Sequence, residues 1–292
     1  MRFFLNNLKK NPLSIVGITL VLLFLIVALF APLIARTPAG QYNAYMIPRA
    51  GYSPTPQPPN AAHPFGTTQG QYDIFYGVIW GTRTAFQIGL SVIGATLVVG
   101  IFLGSIAGYF GGRLDEIIMR VTDIFLAFPS LILAMAITIA LGPGITTIML
   151  ALTIVSWPPY ARLVRGDILV LREEDYVQAT RGVGASDVRI ITRHVLPNSI
   201  YPVLIVASLD IGAVVLSAAA LSFLGLGVPE GYADWGQMIS FSRNWIVGTS
   251  GNAFAYWYTV AIPGLFIFLF VLGWNLLGDA FRDILDPRLS RR

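Results

Sequence analysis

The chain has 292 residues, of which 55% are hydrophobic and only 12% are charged, whereas soluble domains carry about 25% charged residues. Several charge-free runs exceed the about 18 residues that a membrane-spanning helix needs, so the composition excludes an ordinary soluble fold and indicates an integral membrane protein. The absence of cysteine excludes disulfides and thiol chemistry, and two histidines leave little for a metal site. We therefore expect no metal site and no catalytic residue in this chain.

The first predicted element is an uncleaved anchor helix in the charge-free run of residues 11–35. This run is too long for a signal peptide, and Leu33 stands where a cleavage site would have a small residue, with a cleaved signal as the alternative. Residues 36–83 are rich in Pro, Gly, Asn and Gln, which predicts turns and extended structure ordered by packing. Within them, residues 73–80 favour a short interfacial helix, because their aromatic side chains suit the headgroup zone.

Three further spans are predicted before the main polar segment. Residues 84–112 form the second span, and three of its glycines recur at every fourth position and offer a face for close packing against another helix: Gly100, Gly104 and Gly108. The third span covers about residues 117–141. Residues 124–161 carry no charge, and this run is too long for one span. We therefore expect the Gly-Pro-Gly turn at 142–144 to divide it and the fourth span to end near Tyr160.

Two more spans follow the polar segment, over residues 200–224 and 258–277. The loop between them contains three tryptophans that suit an external aromatic belt at the membrane surface: Trp235, Trp245 and Trp257. Six spans place both termini on the same side of the membrane.

The distribution of Lys and Arg predicts which side that is. With six spans, 15 of the 19 basic residues fall on the side of the termini and four fall on the other. Cytoplasmic loops carry such an excess of basic residues. We therefore expect both termini and the polar segment to be cytoplasmic, and the net charge of +4 needs no nucleic-acid partner.

The polar segment, residues 161–198, contains six Arg and five acidic residues between long apolar runs. Its second half predicts a helix, a break and a second short helix. Gly184 is suited to the left-handed conformation that ends a helix. Ser186 is a good N-cap and Asp187 a good first-turn anion for the second helix. Pro197 is predicted to end that helix.

Residues 178–197 resemble the EAA loop of bacterial ABC importer permeases, E-A-A-x3-G-x9-I-x-L-P. The matching positions are Gln178-Ala179-Thr180 for the triplet, Gly184 for the glycine and Leu196-Pro197 for the ending. Four other stretches are similar to the second permease of the dipeptide/oligopeptide/nickel transporter family (DppC/OppC-like): NPLSIVG, GYFGGRLDEIIMRVTDIFLAFPS, LSFLGLGVPE and NLLGDAFRDILDPR. The resemblance covers nearly the whole chain.

This resemblance implies an all-α integral membrane protein with six transmembrane helices, the type I ABC importer transmembrane domain, and both termini in the cytoplasm of a multi-pass cell-membrane protein. Residues 1–81 would form an N-terminal anchor helix and external loop. Residues 82–279 would form the transmembrane domain, with the EAA-like loop at 178–197. Residues 280–292 would be a cytoplasmic tail.

The resemblance also implies partners. The chain would pair with a second homologous permease and two ABC ATPases in the lipid bilayer. An extracytoplasmic solute-binding protein would dock on residues 36–83 and 225–257. ATP and Mg²⁺ would be bound by the ATPases, so this chain would hold no cofactor and would not be an enzyme. The implied cargo is di- or oligopeptides, with oligosaccharides, nickel chelates or glutathione as alternatives.

The residues implied to couple the chain to an ATPase lie in the EAA-like loop. They are Gln178, Ala179, Gly184, Ala185, Ser186, Asp187, Arg189, Leu196 and Pro197. The short helix at 185–192 would be the coupling helix, with Gly184 as the break before it and Leu196-Pro197 as its fixed exit.

Three positions depart from the family pattern. Gln178 and Ala218 stand where these permeases often carry Glu, and residues 66–73 replace the usual G-T-D-x-x-G-R-D. The candidate pathway residues are Ala218, through this departure, and Asp210, because a charge inside a span is costly and usually faces the bundle interior. Asp210 could equally cap a helix or pair with the partner permease. A secondary transporter is the competing class, but it predicts inverted repeats, and none is evident.

Overall fold

The structure is a computed structural model that describes residues 12–248, 252 and 254–285. Over these residues the regular secondary structure is helical, and the connections contain only isolated β-bridges. The helices are α1 (Pro12–Ile34), α2 (Ile74–Phe110), α3 (Gly112–Leu126), α4 (Ser130–Leu141), α5 (Ile145–Leu171), α6 (Asp175–Gly182), α7 (Asp187–Ile190), α8 (Leu196–Phe223), α9 (Trp235–Phe241) and α10 (Tyr258–Leu285). A π-helical turn, Ile191–Val195, joins α7 to α8.

Five helical stretches among the described residues are long and apolar enough to cross a membrane, and the pair α3–α4 makes a sixth if counted as one span. The prediction of one continuous third span over residues 117–141 is wrong, because α3 and α4 meet at an angle of 88°. Pro129 explains the break, since a proline disfavours helical geometry at the residue before it. The predicted division at residues 142–144 is confirmed, with α4 ending at Leu141 and α5 beginning at Ile145.

Helix α2 packs closely along α5 through the predicted glycine face. A Cβ atom on Gly100 would lie 2.5 Å from the Cβ of Tyr160, and one on Gly104 would lie 2.5 Å from the carbonyl oxygen of Ala161. A Cβ on Gly108 would meet Arg165 and Ile168 at 3.0 Å. The prediction that these glycines serve helix packing is therefore confirmed.

Helix α2 begins ten residues earlier than predicted. Asp73 caps it, because its side chain accepts a hydrogen bond of 2.8 Å from the backbone N–H of Tyr76. The predicted separate interfacial helix at residues 73–80 is thus the first part of α2. Similarly, α5 continues to Leu171, beyond the predicted end of the fourth span near Tyr160.

The connections at one end of the bundle form a folded unit, residues 35–73 and 224–248, that we name the cap. Its two segments are joined by backbone hydrogen bonds from Ile47 N–H to Gly231 O and from Ala233 N–H to Tyr45 O, each 2.7 Å. The indole of Trp80 donates to the carbonyl of Ala35 at 2.9 Å and fixes the end of α1 against α2. The predicted packing of the turn-rich external segment is confirmed.

Trp235 corrects another prediction. It is only 2% exposed and packs against Phe24, Phe266 and Phe270, so it lies in the core beneath the cap and not in an aromatic belt. Trp257 is 58% exposed, in accordance with the prediction. Both tryptophans lie in the same connection, and packing alone distinguishes them.

The start of α1 and the end of α10 lie at the other end of the bundle. Tyr258, at the start of α10, contacts the cap near Gly66, whereas Leu276 near its end lies beside Gly17 of α1. The connection between α5 and α7 is at this same end, because Tyr109 at the end of α2 contacts Asp187.

Candidate functional site

The EAA-like segment, residues 178–197, is divided in the structure at Gly184. Before it, α6 ends in a Schellman motif: the N–H of Ala185 bonds to Thr180 O at 3.3 Å and the N–H of Gly184 to Arg181 O at 3.0 Å. Gly184 has a φ of +83°, the left-handed conformation that favours glycine. The predicted helix break at Gly184 is confirmed.

After Gly184 the structure differs from the prediction. Helix α7, the π-helical turn and α8 form one continuous helix from Asp187 to Phe223, so the prediction that Pro197 ends the second short helix is wrong. Pro197 lies in the first turn of α8, directly after the π-helical turn. A wide turn of this kind absorbs an interruption of the hydrogen-bond ladder within a continuous helix.

The discrete short helix is therefore α6, with a break on each side. Residues 172–186, which we name the α6 loop, contain this helix and the turns that flank it. Of the predicted coupling residues, Gln178, Ala179, Gly184, Ala185 and Ser186 belong to the α6 loop. Asp187, Arg189, Leu196 and Pro197 belong to the continuous helix that follows.

The base of the α6 loop is fixed to the end of α2. The hydroxyl of Tyr109 donates to Asp187 Oδ1 at 2.7 Å. The guanidinium of Arg172 donates to the carbonyl of Gly108 at 2.9 Å, and the amide of Gln178 donates to the carbonyl of Arg172, also at 2.9 Å. Sequence reasoning missed Tyr109 and Arg172, because their partners are far away along the chain.

Ion pairs reinforce the same end of the bundle. Arg165 of α5 binds Asp115 of α3 through two hydrogen bonds of 2.5 and 2.6 Å. Arg162 of α5 binds Asp123 of α3 at 2.5 Å. At this end of the bundle, hydrogen bonds thus hold the α6 loop against α2, and ion pairs hold α5 against α3.

The tip of the α6 loop, in contrast, is open. Gln178, Ala179 and Ser186 are exposed, and Val183 is 85% exposed. Val177 is fully buried and anchors α6. Ser186 has the extended backbone of an N-cap, as predicted, but its side chain makes no capping hydrogen bond. The surface of the short helix is therefore accessible to another molecule.

The second candidate site surrounds Asp210 in α8. The Asp210 carboxylate accepts a hydrogen bond of 2.7 Å from the hydroxyl of Tyr160 and lines a cavity of about 190 Å³ between α2, α4, α5 and α8. Ala218 is only 1% exposed and does not line this cavity. The structure therefore does not bring the two candidate pathway residues to one surface of this chain.

Comparison with known proteins identifies the family. The family described as "Binding-protein-dependent transport system inner membrane component" matches residues 100–291. The N-terminal TM domain of oligopeptide transport permease C matches residues 2–59. This chain belongs to the family of binding-protein-dependent permeases. The protein is a multi-pass permease subunit of an ABC importer in the cell membrane.

Relatives that match the permease over nearly its full length support this family assignment. It is 42% identical to the dipeptide transport system permease protein DppC of Alkalihalophilus pseudofirmus, over 98% of this chain and 89% of that protein. It is 40% identical to the probable D,D-dipeptide transport system permease protein DdpC of Escherichia coli, over 96% and 89%. These relatives are transport permeases and not enzymes.

The fold of the permease is also that of a solved importer. A structure of the MetNI methionine ABC transporter matches 72% of this chain and 97% of the compared chain with a TM-score of 0.56. The sequence identity is 17%, so this likeness supports the fold alone. The predicted all-α fold of an ABC importer transmembrane domain is confirmed.

Proposed function

We propose that this permease forms half of a pathway that imports di- or oligopeptides, and that the α6 loop is its contact with a cytoplasmic ATPase. Two relatives that match most of the chain are named as dipeptide permeases, which supports the peptide cargo. The observation that carries the coupling role is the α6 loop, an exposed short helix on a fixed base.

This geometry suits the transmission of force. To transmit force, a loop needs a surface that a partner can bind and a rigid connection to the helices that move. The exposed tip around Val183 offers the surface. The hydrogen bonds from Tyr109 to Asp187 and from Arg172 to Gly108 connect its base to α2, and the continuous α7–α8 helix extends from Asp187 into the membrane.

The coupling helix of this proposal is α6, and not residues 185–192 as expected from the sequence. Only α6 is bounded by breaks on both sides, whereas α7 is continuous with α8. A partner that pushes on α6 would displace the start of α8 through the turn at Gly184. Gln178 and Ala179 would lie at the contact itself.

The side of the membrane follows from charge. The α6 loop, the start of α1 and the end of α10 share one end of the bundle, and most of the basic residues that the structure describes belong to that end. The positive-inside rule places such an end in the cytoplasm, where ATP is available. Two ATPases would bind ATP and Mg²⁺ there, a second permease would complete the pathway, and a solute-binding protein would dock on the cap.

The test compares two exposed glycines. Gly184 and Gly112 both have positive φ, and a Cβ atom on either would meet nothing within 4 Å. Gly112 is the first residue of α3, outside the α6 loop. Each is replaced by arginine in the intact transporter, and ATP-driven uptake of a dipeptide into proteoliposomes is measured.

We expect G184R to abolish uptake while the subunit still inserts and G112R to retain it. Both variants place a side chain at a positive φ, which costs on the order of 1–2 kcal/mol, so a loss of uptake in G184R alone reports contact at the α6 loop. Normal uptake by G184R, or equal loss in both variants, would contradict the coupling role.

A further inference from the structure

We propose that Asp210 and its cavity bind the positively charged amino group of the transported peptide as it passes through the membrane. This inference rests on the proposed peptide import and adds a binding point within the pathway. Three observations support it. Asp210 has no counterion, polar residues line the cavity beside it, and the broken third span forms part of the cavity wall.

Asp210 is a charge without a counterion. It lies near the middle of α8, half-buried, and none of the ion pairs between described residues involves it. By contrast, Asp123 at the end of the bundle is neutralised by Arg162. An aspartate at the centre of a membrane helix costs about 2.5–3.5 kcal/mol, so such residues usually serve a function.

Only one of the two oxygens of the Asp210 carboxylate accepts a hydrogen bond from a described residue. Tyr160, which is almost completely buried, donates one hydrogen bond to Oδ2. The described residues give Oδ1 no donor, so this oxygen can accept a bond from a molecule in the cavity. Tyr160 therefore fixes the direction of the carboxylate and leaves its other half available.

Three serines are the other polar residues at the cavity. Ser130, Ser156 and Ser217 line it with Asp210, and its remaining lining residues are apolar. Its volume of about 190 Å³ is below the about 300–1,000 Å³ of typical small-molecule sites. It has room for an ammonium group with several waters, and not for a whole peptide.

The break in the third span supports a site at this position. Helix α4 begins at Ser130, directly at the cavity, and no side chain caps its first turn. Broken helices inside membranes occur where the irregular backbone lines a cavity or is buried in protein. Among the described residues, the bend of 88° and the unpaired carboxylate thus meet at one place.

The sharpest variant is Asp210→Asn, which has the same shape and can still accept the hydrogen bond from Tyr160 but carries no charge. Asp210→Glu keeps the charge, and Asp123→Asn removes the paired aspartate as a matched control. Each variant is made in the intact transporter, isolated through a tag on this chain and reconstituted with its binding protein. Uptake of dialanine and of N-acetyl-dialanine is measured, each at a concentration that saturates the binding protein.

We expect the wild type and D123N to carry dialanine about tenfold faster than the acetylated peptide, the factor expected for one charged hydrogen bond. D210N should slow only dialanine and lose this preference, and D210E should keep it. Unchanged preference in D210N would overturn the inference. Failure of D210N to assemble with the second permease would also overturn it, because the carboxylate would then pair with that subunit. If the wild type carries neither peptide, the peptide cargo of the proposed function fails as well.

Discussion

The cap and the α6 loop are both polar connections between membrane helices, yet their polar groups are paired differently. In the cap, Tyr72 is buried, donates to Glu230 at 2.9 Å, stacks on Phe241 at 4.9 Å and is hydrogen-bonded to Arg49. Burial, followed by the nearby Glu230, raises the pKa of Tyr72 to about 12. In the α6 loop such contacts occur only at the base, and the tip is open.

The two regions therefore differ in how firmly their backbone is held. The cap resists deformation even at the cost of strain: Gln71 has a φ of +63°, which is unfavourable for a residue with a side chain, and its amide donates to the carbonyl of Thr55 at 2.6 Å. The α6 loop places its left-handed residue at a glycine, Gly184, without such cost. We expect mutations in the cap to act on stability and mutations in the α6 loop to act on transport.

The largest expected effect is in the core beneath the cap. Trp235→Ala should lower the free energy of unfolding by about 3–5 kcal/mol, as for other fully buried aromatic residues. The measurement is the temperature of unfolding of the detergent-solubilised subunit. Trp257→Ala, which removes a largely exposed tryptophan of the same connection, is the control and should change little. Equal shifts in both variants would show that the cap is not supported by this packing.

A pH effect of intermediate size is expected from Asp234, the N-cap of α9. It accepts a hydrogen bond of 2.8 Å from the N–H of Gln237, and its burial raises its pKa from 3.8 to about 6. The folded protein therefore holds this proton more tightly than the unfolded chain does. Stability should be greatest below about pH 4 and should fall by up to about 3 kcal/mol as the pH rises to about 6.

The matched variant for this pH effect is Asp234→Asn, which retains a capping acceptor but cannot titrate. Unfolding temperatures of both proteins are measured between pH 4 and pH 7. The wild type should lose stability over this interval relative to D234N. Parallel curves would contradict the assignment of the pH dependence to Asp234.

The smallest effects compare one glycine from each region. A Cβ on Gly236 of the cap would lie 2.1 Å from the carbonyl oxygen of Ala219, whereas one on Gly184 would meet nothing within 4 Å. Gly236→Ala should cost about 1–3 kcal/mol through overpacking, and Gly184→Ala about 1 kcal/mol through its backbone conformation alone. Urea or thermal unfolding checks the order. A larger loss for Gly184→Ala would reverse the proposed contrast.

Much of the fold could be predicted from the sequence because it depends on local properties. Long apolar runs marked the spans, the Gly-Pro-Gly turn at 142–144 marked a hairpin, and glycine at every fourth position marked the α2 packing face. The break at Gly184 was equally predictable, since only glycine adopts the left-handed conformation at little cost. Helix ends were predicted less well, because Pro197 lies in a continuous helix and α2 extends back to Ile74.

The candidate sites could be predicted only in part, because their contacts join residues that are distant in sequence. The sequence indicated Asp210 as unusual, but the hydrogen bond from Tyr160 joins residues 50 positions apart. Tyr109 and Asp187 are 78 positions apart, and no local pattern marks either as the partner of the other. Ala218 was a pathway candidate because it stands where these permeases often carry Glu, and only the packing of α8 shows that it is buried.

Local sequence was sufficient to show that this protein lies in a membrane, where its long apolar runs are and where its EAA-like segment breaks, because hydrophobic length and glycine conformation are properties of a few neighbouring residues. Only the tertiary structure shows which part of the EAA-like segment is a separate helix. Residues after Gly184 continue into α8, so α6 alone has a break on each side. The hydrogen bonds of Tyr109 and Arg172 that hold this segment against α2 join residues that are distant in sequence.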